Sequence, residues 1–287
     1  MMRIVVIGSR GQLGGAVVAA CAGRHEVVPF DRASLDVTRA DDVAAAMERV
    51  RPDVIINCSG YNAVDAAESR PVDALLVNAF AVRLLARAAR DLGAVLVQYS
   101  SDFVFDGTAA VPMREEEPPN PRSAYATSKL LGEWFAADAP ISYVLRVESL
   151  FGAAPGHRPK GSLESILDGL KAGRPVRVFG DRTVSPTFVV DAARATLELL
   201  ERRAPAGLYH CVNSGSGTWL EVAQEAARQM GVTPHFDVVA TADVVLPALR
   251  PQYCAMANAK LASVGVAMPT WQDGLARHLA SARTHTV

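Results

Sequence analysis

Residues 3–22 read RIVVIGSRGQLGGAVVAACA, a short β-branched run, a glycine turn, and then small and apolar residues at helical spacing. The first part reads as a strand and the last as a helix. Gly8, Gly11 and Gly14 fall at three-residue intervals in the turn between them. Without side chains there, the backbone can turn sharply and approach a pyrophosphate, whose charge then meets unpaired N–H groups at the helix N-terminus. The spacing is GxxGxxG, one residue looser than the usual dinucleotide fingerprint, so its weight comes from its place between a first strand and its helix.

The alternation continues outward from this turn. EVVPF at 26–30, a helix near 39–49, DVIINCSG from 53, an alanine-rich helix over about 71–91 and AVLVQYSS from 94 follow in order. A helix around Tyr125, SYVLRV at 142–147, a helix near 162–172, PVRVFG at 175–180, a helix over about 188–202 and GLYHCV at 207–212 come next. Near-continuous apolar strands between helices predict an α/β fold, a doubly wound parallel sheet of Rossmann type covered on both faces. Helices at Thr218 to Met230 and from Trp271 to about Ala282 belong to a smaller C-terminal lobe. The expected division is a dinucleotide-binding domain over 1–149, to which 175–212 returns, and a substrate-binding lobe made of 150–174 and 213–287.

The bulk numbers narrow the partner. Half of the 287 residues are apolar, enough for a full core, and the formal net charge of -1 gives no field to draw in nucleic acid or an anionic membrane. The four cysteines lie far apart with no CxxC pair, which fits reduced, buried thiols and a cytoplasmic setting. The first apolar run begins at Ile4 and breaks at Gly8, too early and too short for a signal peptide, and no stretch has the length of a membrane span. The six histidines show no HxxxH or HExxH spacing, so no metal is expected from them. A small-molecule substrate is expected.

Candidate cofactor residues follow the carboxyl edge of the strands. Gly8, Gly11, Gln12, Leu13 and Gly14 form the turn. The second strand ends at Asp31 and Arg32, where a carboxylate can accept from the ribose 2′-hydroxyl of NAD and an arginine can pair with the 2′-phosphate of NADP. NADP(H) is expected, with NAD(H) as the alternative. Asp36 and Val37 fall where a loop reaches adenine, and Cys58, Ser59 and Gly60 follow the third strand.

After the fourth strand, YSSDFVFDG places Ser100, Ser101 and Asp102 at the carboxyl edge, and SAYATSKLLGE carries Tyr125 and Lys129 one helical turn apart. A hydroxyl, a phenol and an ammonium then converge beside the nicotinamide site. With these residues the chain resembles the extended short-chain dehydrogenase/reductase family, and within it the dTDP-4-dehydrorhamnose reductase branch, through GQLG, NCSGYNAVDAAE, SSDFVFDG, SAYATSKLLGE, SPTFVVDAARA, GLYHCVNSGSGTWLEVA and RPQYCAMANAKL. The resemblance implies NADPH-dependent reduction of the 4-keto group of a nucleotide-linked 6-deoxyhexose. It makes Tyr125 the proton donor and Lys129 the cation that lowers its pKa and bonds the nicotinamide ribose. Ser101 is the implied carbonyl partner, with Ser100 as runner-up, and Asn78 supports the site.

Substrate-binding candidates on the same resemblance are Asp102, Phe103, Ser149 and Arg250. Phe103 stands where relatives usually carry a tyrosine, Ser149 where many have a tryptophan, and Asn62 where a threonine is common, so sugar recognition is expected to differ. Ala16 replaces an acid that helps some relatives hold a metal between subunits, so no metal is expected and a homodimer is left open. Glu115, Glu116 and Glu117 read as a solvated loop, Trp219 and Trp271 as packing residues, and Arg250 as either a phosphate contact or a surface ion pair. Two alternatives remain at this point: a non-catalytic nucleotide-binding regulatory subunit, and a nucleotide-sugar epimerase or dehydratase.

Overall fold

Alternate residues of the first strand serve opposite cores. In β1 (Arg3–Ile7), Ile4 and Val6 pack into one apolar cluster and Val5 and Ile7 into another, all of them buried. Each such side chain contributes about 1.5–3 kcal/mol of burial energy, so a strand apolar on both faces is stable only between two helical layers. A computed structural model of the chain describes residues 1–154, 156–157 and 159–284.

The first half supplies α1 (Gln12–Cys21), β2 (Glu26–Phe30), α2 (Ala40–Val50), β3 (Val54–Asn57), α3 (Val64–Ser69) and α4 (Pro71–Leu75). A π-helical turn, Leu76–Phe80, joins α4 to α5 (Ala81–Leu92), and β4 (Val95–Ser101) follows. Then come α6 (Ala124–Ala136), β5 (Ser142–Val147), β6 (Leu150–Phe151), α7 (Ser162–Lys171), β7 (Val176–Phe179), β8 (Thr183–Val184) and β9 (Thr187–Phe188). The last elements are α8 (Val189–Glu201), β10 (Gly207–His210), β11 (Gly217–Thr218), α9 (Trp219–Met230), β12 (Phe236–Val239), α10 (Ala259–Ser263) and α11 (Trp271–Thr284).

The main sheet runs β10-β5-β4-β3-β1-β2, and every pairing in it is parallel. Its order reverses between β1 and β3, where the strand ends open a crevice. The doubly wound Rossmann expectation is therefore met. One expected member is elsewhere: Val176–Phe179 pairs with Phe236–Val239, so β7 and β12 form their own two-stranded sheet. Its inward residues Val176 and Val178 pack with Leu167, Leu170, Val222 and Ala226 in the lobe's core. The segment 175–212 thus returns to the large sheet only with α8 and β10. The strand β12 and the helices α3 and α10 lie outside the predicted elements.

Candidate active site

The glycine turn is as tight as its sequence demands. Gly8 has φ of 77°, in the left-handed region, and a Cβ there would come within 2.9 Å of the Cys58 carbonyl carbon. A Cβ on Gly14 would lie 2.1 Å from the Gly8 carbonyl oxygen, an overlap that backbone atoms cannot relieve. The Gly11 amide donates to the Gly8 carbonyl at 2.9 Å, and Gly11 then caps α1. This cradle, which any side chain would fill, fits a dinucleotide pyrophosphate.

Two adjoining clefts open at the carboxyl edge of the sheet and share Gly11, Cys58, Ser59, Gly60 and Asn62. The larger, about 690 Å³, is lined by Gly8, Arg10, Asp31, Arg32, Asp36 and Val37 among others. The second, about 460 Å³, takes in Gln12, Leu13, Ser101, Asp102, Phe103, Tyr125, Lys129, Ser149 and Arg250. Of the expected site residues only Gly14 lines neither cleft; it acts by letting α1 approach the turn.

At the far end of the larger cleft, Asp31 accepts from the Ser34 amide and hydroxyl, each at 2.9 Å, and pairs with Arg10 at 3.0 Å. These bonds from Ser34, with smaller help from Arg10, hold its carboxyl below the usual range. Asp36 is likewise occupied, accepting from the Thr38 amide and hydroxyl at 3.0 and 2.7 Å. Both acids therefore order the loops at that end of the larger cleft. Arg10, inside the GSRG turn, is a second cation beside Arg32 that the sequence reading missed.

Tyr125 and Lys129 share one face of α6 and are both buried. The capping hydroxyl of Ser123 accepts from the Ala126 amide and starts the helix just before Tyr125. The Tyr125 ring meets Phe103 edge to face at 5.6 Å. Burial pushes the phenol pKa up, and a hydrogen bond with Ser101 offsets part of that rise. Lys129 Nζ donates to the Tyr99 carbonyl at 2.6 Å, and burial lowers its pKa to about 8 against the opposing charge of Glu133. The expected lowering of the Tyr125 pKa by Lys129 is not seen in this arrangement: the ammonium is turned to the β4 backbone, and Ser101 is the group that eases ionisation of the phenol.

The two serines of β4 both line the second cleft but bond different partners. Ser100 donates to Glu133 Oε1, and Glu133 binds Arg146 through two contacts of 2.8 Å, so Ser100 is tied into a buried ion pair. Ser101 faces the cleft, donating to Asp102 Oδ1 at 2.8 Å and accepting from the Phe103 amide at 3.2 Å. Asn78, in the π turn, accepts from the Tyr61 amide at 2.8 Å and donates to the Tyr61 carbonyl and to Ser128 at 3.1 and 2.9 Å. It thereby ties α6 to the loop after β3. Ser149 sits in the left-handed region with φ of 42°, a strained position for a residue with a Cβ.

Of its two expected readings, Arg250 shows the ion pair. Its Nη2 pairs with Asp65 at 2.7 Å, while the buried Nη1 has no hydrogen-bond partner among the described residues and lies on the wall of the second cleft. Trp219 and Trp271 pack in the lobe core as expected, and Trp219 also reaches the cleft. Glu115 departs from the solvated-loop reading, because it accepts from the His210 amide at 2.8 Å. Glu148, Arg182 and Cys254 line the same cleft and were not foreseen. Glu148 directly precedes Ser149 at a strand end, a position that could have flagged it; Cys254 lies within the RPQYCAMANAKL motif, which could also have flagged it, while Arg182 comes from a segment that no motif marks.

A family model, the RmlD substrate binding domain, matches residues 2–284. The chain belongs to this family. A dTDP-4-dehydrorhamnose reductase from Burkholderia thailandensis, similar along nearly all of the RmlD-family chain, is 33% identical over 289 residues, covering 94% of this chain and 96% of its own. The solved dTDP-4-dehydrorhamnose reductase from Clostridium acetobutylicum superposes with a TM-score of 0.92 at 31% identity, covering 98% of this chain and 100% of the other. That from Bacillus anthracis, in complex with NADP, gives a TM-score of 0.91 at 29% identity, covering 98% and 99%. The resemblance expected from the sequence motifs is thus borne out. Among the described residues of this RmlD-family chain, no helix is long and apolar enough to cross a membrane.

Proposed function

We propose that the chain is an NADP(H)-dependent reductase acting on the 4-keto group of a nucleotide-linked 6-deoxyhexose, with NAD(H) as a second, weaker donor. The observation that carries this reading is the convergence of Ser101, Tyr125 and Lys129 on one cleft, continuous with a glycine cradle that a pyrophosphate fits. Membership of the RmlD family and an NADP-bound relative support it.

When bound, the nicotinamide supplies the hydride. The Gly8–Gly14 turn and the N-terminus of α1 would hold its pyrophosphate, with Gln12, Leu13, Cys58, Ser59 and Gly60 along its length. Asp31, Arg32, Asp36 and Val37 would take the adenosine end, where Arg32 and Arg10 offer positive charge to a 2′-phosphate. Ser101 orients the substrate carbonyl by a hydrogen bond. Tyr125, kept protonated by burial, donates its phenolic proton to the carbonyl oxygen. Lys129 supplies the nearby positive charge that the transient phenolate needs, once it leaves the Tyr99 carbonyl for the ribose. Asp102, Phe103 and Ser149 would flank the sugar, and Arg250, whose Nη1 has no partner among the described residues, would offer a donor to a phosphate oxygen of its carrier. In this reading the sheet domain, residues 1–149 with α8 and β10, holds the cofactor, and the remainder forms the substrate lobe.

The test is to incubate the purified protein with NADPH or NADH and a panel of nucleotide-4-ketohexoses, following loss of nicotinamide absorbance. Oxidation of NADPH by a dTDP-linked member is expected. Dinucleotide binding with no oxidation by any member would overturn the reductase reading.

A further inference from the structure

We propose that Asp102 and Glu148 form a carboxyl pair that stores one proton and passes it through the Ser101 hydroxyl to Tyr125 after each reduction. The inference rests on the reductase reading, because it is reduction that consumes a proton. Each turnover makes a C–H bond with the cofactor's hydride and an O–H bond with the Tyr125 proton, leaving a phenolate. That phenolate is only 8% exposed in a site that cofactor and sugar would cover further, so it needs a proton source within the protein.

The geometry supplies one. Ser101 stands between Tyr125 and Asp102: its Oγ donates to Asp102 Oδ1 at 2.8 Å, and it shares the cleft wall with Tyr125, whose ionisation it eases. A hydroxyl can turn and donate to either neighbour, so the same contacts serve in both directions. Carboxyl oxygens of Asp102 and Glu148 and the thiol of Cys254 lie within 4.8 Å of one another, with Asp102 and Glu148 4% and 2% exposed. Glu148 Oε2 accepts from the Ser185 amide at 2.7 Å, whereas its buried Oε1 has no hydrogen-bond partner among the described residues. An ionised carboxylate with a bare buried oxygen costs far more than a protonated one.

Charge balance gives the same answer. The charged and titratable side chains that act on the pair are Arg182, Cys254, Tyr253 and Tyr125, and Arg182 is the cation among them. One guanidinium offsets one carboxylate, so two buried carboxyls keep one proton between them. A divalent cation on the same three groups would have to sit against that guanidinium, whereas a proton balances the charge as it stands. Burial pushes both carboxyls up, Asp102 to about 6, and the charge of Asp102 drives Glu148 higher still.

In the relay, the Asp102 O–H breaks as its proton goes to Ser101 Oγ, and the Ser101 proton goes to the Tyr125 oxygen. That is the pair's single proton, moved from Glu148 to Asp102 before the transfer, so both carboxyls stand ionised beside Arg182 until solvent returns a proton when product leaves the cleft. No electrons move in these steps.

The experiment is the pH profile of kcat from pH 5 to 9 for the wild type and Glu148→Gln. The wild-type profile is expected to stay level through neutrality, because the pair keeps its proton there. In Glu148→Gln, Asp102 titrates alone, so kcat should match the wild type near pH 5 and fall about tenfold per unit above about pH 6. A uniform loss at every pH, or no change at any pH, overturns the relay. Infrared spectra read the pair without turnover: a protonated-carboxyl band at pH 8 in the wild type that is lost in Glu148→Gln supports it. The absence of that band, or a stoichiometric divalent ion in the purified protein, refutes it even if no sugar in the panel is reduced.

Discussion

Replacing Tyr125 by phenylalanine removes one oxygen from the centre of the site and little else. The ring keeps its edge-to-face contact with Phe103 and its place in the apolar cluster of Ala67 and Ala74. Ser101 loses one partner but retains Asp102 Oδ1 at 2.8 Å and the Phe103 amide at 3.2 Å, so no buried polar atom is orphaned. The stability change should therefore stay within about 1 kcal/mol, the net value of one ordinary hydrogen bond. Catalysis should suffer far more. A positioned general acid is worth about 10²–10⁴ in rate, so the barrier rises by roughly 3–5 kcal/mol. The assay is kcat for NADPH oxidation with an accepted nucleotide-4-ketohexose, alongside NADPH affinity by fluorescence and a urea midpoint. Turnover within about threefold of the wild type, with folding and cofactor binding intact, would remove Tyr125 from the role of acid.

Three further perturbations separate the cradle, the cofactor choice and the buried lysine. Gly14→Ala forces a methyl into the Gly8 carbonyl, so NADPH binding should be lost and stability should fall by about 1–3 kcal/mol, read by cofactor titration and a urea midpoint. Arg32→Ala should raise the KM for NADPH by about ten- to a hundredfold while leaving that for NADH nearly unchanged, the loss expected of one charge-assisted hydrogen bond. Lys129→Met should abolish turnover yet stabilise the fold at pH 7. Burial lowers the folded-state pKa of Lys129 from 10.5 to about 8, so the cost of its charge is fully present below about 8. As pH rises toward 10.5 the unfolded chain binds more protons at this site, wild-type stability climbs by up to about 3 kcal/mol, and the advantage of Lys129→Met shrinks. Urea midpoints at pH 7 and 10 check the sign.

The elements legible in the sequence are those whose patterns are local. The glycine turn, the strands that end at it, and the pair Tyr125 and Lys129 follow from spacing alone, because one turn of helix or one tight bend fixes each. Misassigned or missed features depend on distant partners. PVRVF reads as one more sheet strand, but its neighbour is Phe236–Val239, some sixty residues on, and no local signal names that partner. Ser100 and Ser101 are indistinguishable as adjacent hydroxyls; what separates them is Glu133 on α6, which claims Ser100, while Ser101 bonds Asp102. Arg182 meets Asp102 only after its distant segment folds back, so its charge carries no pattern in the chain, whereas Glu148 follows β5 at the edge where Asp102 follows β4 and is legible by position.

Helix α6 shows why the site is stiff where it must be. Tyr125, Lys129 and Glu133 recur every four residues and so line one face as a phenol, an ammonium and a carboxylate. Glu133 is the anchor: Arg146 on β5 grips it with two parallel bonds, and the same guanidinium rests on Phe105 at 4.8 Å. Such a buried pair gains little stability in itself, yet breaking it would leave a bare charge in the core, so it fixes position strongly. On the other flank Gly132 brings α6 against the π turn, where a Cβ would lie 2.1 Å from the Asn78 carbonyl oxygen. Asn78 then bonds Ser128 one residue before Lys129. The helix is thus pinned to the sheet by a charge and to its neighbour by the absence of a side chain, and both pins lie within a turn of the ammonium. Lys129 can remain charged despite burial because Glu133, held in place by Arg146, opposes the desolvation that lowers its pKa.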